Sequence, residues 1–165
     1  LWQMNRISVA QEHYCTAATQ LIMSRLYPSI FNREKTGGTF IGACVGDELH
    51  EMGVRMITDF FELEGWDTYF LGANTPSEAF LSSIKDYNAD LVGIGVTITY
   101  HIDAVRRIIE AIRSDPQTNR VKILVGGYPF NLDKVLWKTV GADAFAENAQ
   151  EAVMIGNQLL RGKVS

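Results

Sequence analysis

Glu48 and His50 lie two positions apart in the stretch Gly46-Asp47-Glu48-Leu49-His50-Glu51-Met52-Gly53, where an apolar run ends and a helical pattern begins. An imidazole that ligates a metal through one ring nitrogen needs an acceptor on the other, to fix its tautomer and raise its basicity. A carboxylate two residues earlier on the same turn can be that acceptor. The chemistry open to this pair is therefore metal ligation by His50 with Glu48 behind it. The plainer reading of a lone histidine at such a turn is a helix-start residue bonded to backbone. Asp47 and Glu51 read as solvated acids at the positive end of the following helix.

The elements that must place this turn follow from the periodicity of the chain after residue 38. Apolar runs predict strands over 39–45, 68–71, 91–97, 121–125 and 143–145, and helical spacing predicts helices over 48–63, 76–87, 102–113, 132–140 and 148–160. Thr75-Pro76 reads as an N-cap followed by proline at the first helical position. Five strand–helix units predict an α/β fold with a five-stranded parallel sheet and helices on both faces, a flavodoxin-like (Rossmann-like) arrangement. Right-handed crossovers and strand order 2-1-3-4-5 would bring the loops 46–53, 97–101 and 126–131 to one edge of the sheet. There Thr97 and Thr99 offer hydroxyls, Gly126 and Gly127 allow close approach to backbone, and Tyr128 and His101 stand near the same edge.

Upstream, residues 7–26 carry apolar positions at helical spacing, predicting an amphipathic helix stopped near Pro28. The polar stretch 32–38, ending in a glycine pair, reads as a linker and places a boundary near 33–37. The 165 residues, 47% hydrophobic and 21% charged, fit one main core. A net charge of −4 advertises no surface for phosphate backbones, so no direct nucleic-acid partner is expected. No apolar run reaches the roughly 20 residues of a membrane span. Cys15 and Cys44 lack metal spacing and suit free thiols in a reducing, cytoplasmic setting. The chain begins Leu1-Trp2, so a fragment with an upstream partner outside it is expected.

Two site types fall away on their motifs. No GxxxxGK[ST] or GxGxxG follows the first strand, which removes the common phosphate-binding loops. A phosphorylated receiver domain could use Asp47-Glu48. It also needs an Asp ending the third strand and a Lys after a later one, where this chain has Thr97 and Ala146-Glu147.

In order and approximate spacing, Glu48-Leu49-His50-Glu51-Met52-Gly53, Gly95-Val96-Thr97 and Gly126-Gly127 resemble the DxHxxG, SxL and GG signature of cobalamin-binding domains, over about residues 38–162. The resemblance implies that His50 is the lower ligand of cobalt in base-off cobalamin, with Glu48 the acceptor on its other ring nitrogen. It also implies that Gly53 permits close helix approach and that Gly95, Thr97, Thr99, Gly126, Gly127 and Tyr128 meet the nucleotide tail. Glu48 stands where the family has Asp, and Gly95 where it has Ser, which removes a hydroxyl.

Trp2, nine residues, then Glu12-His13 resembles the W-x9-EH motif on the helical cap of light-sensing, adenosylcobalamin-binding transcription regulators. The resemblance implies a cap portion over 1–35 before a cobalamin domain over 36–165, with Trp2, Glu12 and His13 around the upper axial group. Gln3 stands where those photoreceptors often carry a His. A sensing module with adenosylcobalamin is the implied function, coupled to an upstream effector domain or a second copy. The alternative is a corrinoid carrier of a methyltransferase system, with methylcobalamin.

Overall fold

The computed structural model describes residues 6–30, 34–35 and 38–162, without the side chains of 28–30. The chain divides into two compact units, Leu1–Asn32 and Arg33–Ser165.

In the first unit, helix α1 covers Val9–Ile30. Its start is closed by a reciprocal cap: the Gln11 N–H donates to Ser8 Oγ, and the Ser8 N–H donates to Gln11 Oε1. The helix runs through Pro28 rather than stopping there. Tyr14, Leu21, Ile22 and Leu26, the apolar positions that marked the helix in the sequence, are exposed.

The second unit runs β1 (Thr39–Val45), α2 (Met52–Leu63), β2 (Asp67–Thr75), α3 (Ser77–Asp86), β3 (Leu91–Gly95), a 3-10 turn (Thr99–His101), α4 (Ile102–Ser114), β4 (Lys122–Gly126), α5 (Tyr128–Leu132), α6 (Leu136–Thr139), β5 (Ala144–Ala146) and α7 (Ala149–Arg161). All strand pairs are parallel, in the order β2-β1-β3-β4-β5. This is the expected doubly covered α/β sheet. The register pairs Cys44 with Gly95, Gly95 with Gly126 and Gly126 with Ala146, so β1, β3, β4 and β5 end level along one edge. The order reverses between β1 and β3, and the loops leaving those two strands open the crevice where such sheets take ligands.

Alternation along the strands feeds two cores. Ile41, Ala43, Val45, Val92, Ile94, Ile123 and Val125 pack with Phe80 and Ile84 of α3 and with Val105, Ile109 and Ile112 of α4. Phe40, Leu91 and Leu124 meet Phe61 of α2, Trp66, and Ala152 and Val153 of α7 on the other face. Phe40 stacks on Phe61 at 4.0 Å between ring centres, and the Trp66 indole N–H donates to Asn157 Oδ1 at 3.0 Å. On the α2 face, a Cβ at Gly42 would run into Thr58, and one at Gly95 into Val54. Glycine there lets α2 lie close against the sheet, which fixes the turn between β1 and α2.

Several predicted bounds move. Helix α2 begins at Met52, not at 48, because residues 46–51 form a turn of their own. Strand β2 extends to Thr75, and α3 has Pro76 as its N-cap with Ser77 first in the helix. The helix predicted over 132–140 shrinks to α6 (Leu136–Thr139); the separate short helix α5 ends at Leu132, and Asp133 after it is extended, with φ −120° and ψ 100°.

Candidate functional site

The turn after β1 is closed by the Glu48 N–H, which donates to the Val45 carbonyl at 3.1 Å. Asp47 takes the left-handed conformation with φ 67°, and Asn74 opposite it has φ 50°. Asn74 ties the turn to the end of β2 twice. Its side-chain oxygen accepts from the Asp47 N–H at 2.8 Å, and its own N–H donates to the Glu48 carbonyl at 3.0 Å. Glu51 adds a third tie, its carboxylate accepting from the Ala73 N–H at 2.9 Å. Glu51 is therefore a strut between loops rather than the solvated acid the sequence suggested.

Held this way, the Glu48 side chain is fully buried and the His50 ring half exposed, at 0% and 50%. Glu48 Oε1 accepts from His50 twice, from the ring Nδ1 at 2.6 Å and from the backbone N–H at 3.1 Å. Its other oxygen crosses the switch point. Oε2 accepts from the backbone N–H groups of Thr97 at 2.8 Å and Ile98 at 3.2 Å, and from the His101 ring Nδ1 at 3.1 Å. Burial alone would raise the Glu48 pKa. The Thr97 N–H, the His50 ring, the His50 N–H and the His101 ring outweigh it and pull the value down to about 2. The carboxylate is thus charged at neutral pH and only accepts, which assigns the proton on both imidazoles to Nδ1. With Nδ1 so engaged, Nε2 of His50 has no protein partner among the described residues, and in the neutral ring it carries the free lone pair. Close by, burial first and then the charges of Glu48 and Glu51 push the Cys44 thiol up to about 12. It stays protonated, its Sγ lying 3.7 Å from the His50 carbonyl as a donor.

Hydrogen bonds thus bring Glu48, His50 and Thr97 together, with Ile98 and His101 as added partners. Thr97 takes part through its backbone N–H, while its side chain and that of Thr99 are exposed. Gly126, Gly127 and Tyr128 follow β4 at the same sheet edge. Gly127 is needed for the fold itself, since φ is 111° and a Cβ would overlap the Val96 carbonyl. Two assignments are corrected. A Cβ at Gly53 would meet nothing within 4 Å, so glycine there serves no close helix contact within the chain. Position 95 faces Val54 on α2, so a Ser hydroxyl there would point into packing rather than toward the open edge. Trp2 and Gln3 lie outside the described residues. Glu12 and His13 belong to the first unit, where their side chains pair at 2.9 Å and Thr16 donates to Glu12 at 2.8 Å.

Fold and turn together define a class of protein: an α/β ligand-binding module offering one imidazole, backed by a buried carboxylate, at the switch point of a parallel sheet. The model of the B12 binding domain family matches residues 38–154, and the chain belongs to that family. It is 30% identical to dimethylamine corrinoid protein 2 of Methanosarcina acetivorans over 126 residues, 76% of this chain and 57% of the relative. The match thus spans little more than half of that relative's length. A corrinoid protein of Desulfitobacterium hafniense is 28% identical over 127 residues, 77% of this chain and 57% of the relative. The structure of the monomethylamine corrinoid protein of Methanosarcina barkeri shares the fold with a TM-score of 0.81 at 23% identity, covering 95% of this chain and 74% of that one. These relatives are corrinoid proteins and not light-sensing regulators, so the family expectation holds and the finer branch gains no support from them.

The residues present fit a corrinoid. Among the described residues no three His, Cys, Asp or Glu side chains gather to hold a bare ion. One lone-pair imidazole suits a metal that arrives with its other ligands in a ring. Leu49, Ile98, Tyr100, Tyr128 and Leu132, all on the loops or short helix at this edge, are exposed. Such apolar surface gains from being covered by a broad, largely apolar macrocycle. Among the described residues no helix is long and apolar enough to cross a membrane.

Proposed function

We propose that the chain binds cobalamin with His50 as the lower ligand of cobalt and serves as the corrinoid carrier of a methyl-transfer system. The observation that carries this reading is the Glu48–His50 pair, Nδ1 bound at 2.6 Å to a buried carboxylate with Nε2 free to ligate. The corrinoid proteins among its relatives favour methyl transfer over sensing. When bound, cobalamin supplies a cobalt centre able to hold and release an alkyl group. The chain's own residues bind and orient it. Glu48 fixes the His50 tautomer, and Thr97, Thr99, Gly126, Gly127 and Tyr128 line the slot for the nucleotide tail. Gly53 leaves room above the first turn of α2. The natural partner is then a methyltransferase, and the setting is a reducing cytoplasm in which Cys15 and Cys44 stay free thiols.

A second reading rests on one specific observation, the spacing of Trp2 from the Glu12-His13 pair. Here residues 1–35 are part of a helical cap over a cobalamin domain at 36–165. Adenosylcobalamin is the form bound, light is the signal, and an upstream effector domain or a second copy takes the output. Affinities for methylcobalamin and adenosylcobalamin, measured in the dark with the full chain, separate the two. Similar affinities support the carrier. A tenfold or greater preference for adenosylcobalamin, with a spectrum that changes under green light, favours the sensor. Binding of neither form sinks both.

A further inference from the structure

We propose that β2 is a self-association edge, along which a second copy of this chain pairs antiparallel so that two sheets join into one. The two edges of the sheet are built differently. β5 is 3 residues long and has Lys134 over the ring of Phe145 at 5.5 Å, and both features blunt an edge strand. β2 is 9 residues long, has no strand on its outer side among the described residues, and carries neither charge nor proline over 68–75. Such an edge is a template for pairing. Asp67, the one charged residue in the strand, is paired with Lys35 at 3.1 Å. Gly72, at φ 91°, marks where the register with β1 slips, so the flat stretch is 67–71.

The pairing register follows from the backbone. The Asp67 N–H donates to the Gly38 carbonyl, so alternate residues face β1, and the N–H and C=O groups of Thr68 and Phe70 point outward. The two-fold axis that uses all of these groups stands beside Tyr69. It sets Thr68 of each copy against Phe70 of the other, each pair exchanging two N–H···O bonds. This register is complementary on both faces of the sheet. On one face Tyr69 meets its own copy, flanked by Tyr87, which stacks on Tyr69 with ring centres 3.6 Å apart and is 42% exposed. Tyrosines so placed are favoured interface anchors. On the other face Phe70 lies under the Arg55 guanidinium at 5.3 Å, and the Thr68 hydroxyl donates to Glu62 at 3.0 Å. Setting Thr68 against Phe70 therefore brings Glu62 of each copy to Arg55 of the other, twice by symmetry. Asp59 keeps to its own chain, paired with Arg55 at 3.3 Å. One strip of α2 supplies both signs, which is the pattern that fits a second copy of itself.

The test is sedimentation equilibrium of the full chain without corrinoid, from about 1 to 500 µM, the range in which a small interface associates. Wild type should pass from monomer to dimer, with hydrogen exchange at the Thr68 and Phe70 amides slowing as the dimer forms. Arg55→Glu and Glu62→Arg each set like charges together across the axis and should each weaken the dimer roughly tenfold, while the double variant should restore it. Tyr69→Lys, which sets two lysines face to face, should weaken it as well. A monomer throughout, a dimer that ignores both charge reversals, or a double variant no tighter than its parents overturns the proposal. So does a dimer that leaves exchange at Thr68 and Phe70 unchanged, because its contact then lies elsewhere on the chain. The exchange readout uses wild type and stands whether or not a variant folds.

Discussion

Replacing Glu48 by Gln removes the charge at the centre of the site while keeping its shape, and its cost can be worked two ways. Oε1 receives two N–H groups and Oε2 three, so whichever way the amide is turned, its NH2 faces donors it cannot accept from. Leaving buried donors unsatisfied costs about 1–3 kcal/mol, and bonds to a charged group are worth about 1.5–3 kcal/mol each. Independently, the folded state lowers the Glu48 pKa from 4.5 to about 2. At about 1.4 kcal/mol per unit, this corresponds to roughly 3 kcal/mol of stability from the ionised form. The sign follows from the direction: the folded pKa is depressed, so this stability is present above the unfolded value near 4.5 and is lost as pH falls toward 2. Urea unfolding followed by far-UV circular dichroism should find Glu48→Gln less stable by about 3 kcal/mol near neutral pH, with the gap closing as both proteins approach pH ~2. Equal stability near neutral pH, or a gap that stays constant through the acid range, would refute the claim that Glu48 is a buried, multiply bonded carboxylate.

Three further outcomes follow from the same geometry. Gly127→Ala, at φ 111° and against the Val96 carbonyl, should lower stability by about 2 kcal/mol or more in a urea melt, whereas the open position Gly53→Ala should change it by less than about 1 kcal/mol. Gly95→Ser should destabilise by about 1–3 kcal/mol through overpacking against Val54, and adding Val54→Ala should restore much of that loss, a coupling that a double-mutant cycle would read directly. Asn74→Ala frees the Asp47 N–H and loosens the turn that carries His50. It should cost about 1 kcal/mol of stability and speed hydrogen exchange at Asp47 while leaving the β3 amides protected.

Much of the fold was legible because its signal is apolar periodicity. The runs 39–45 and 91–97 are continuous where both faces are covered, although β3 ends at Gly95, and the strand order follows from right-handed crossovers. What the periodicity missed are places where polar contacts, not apolar spacing, set the backbone. Residues 48–51 carry helical spacing, yet Glu48 is bonded across the sheet and Asp47 is left-handed, so the helix starts only at Met52. The end of β2, Gly72-Ala73-Asn74-Thr75, has no strand pattern and is ordered by its bonds to Asp47, Glu48 and Glu51. The helix predicted from 132 begins only at Leu136, because Asp133 is extended and its side chain accepts from the Val135 N–H.

Of the site, the Glu48–His50 pair was readable because its two members are neighbours in sequence. The glutamate's extra methylene did not break the contact, which is direct. His101 was readable only as a residue near the same edge, since nothing local marks a ring that reaches a carboxylate across the switch point. Position 95 was misjudged for a related reason. Sequence spacing placed it at the strand end, but which face it presents depends on how closely α2 approaches.

The central claim is that His50, and no other group, supplies the lower nitrogen to cobalt. Electron paramagnetic resonance of cob(II)alamin bound to protein with nitrogen-15 labelled histidine tests it, because the corrinoid's own base stays unlabelled. The account predicts that labelling turns the nitrogen splitting of the cobalt signal from triplets into doublets, and that His50→Ala abolishes this protein-derived splitting. A splitting that ignores the label, or that survives in His50→Ala, would contradict it.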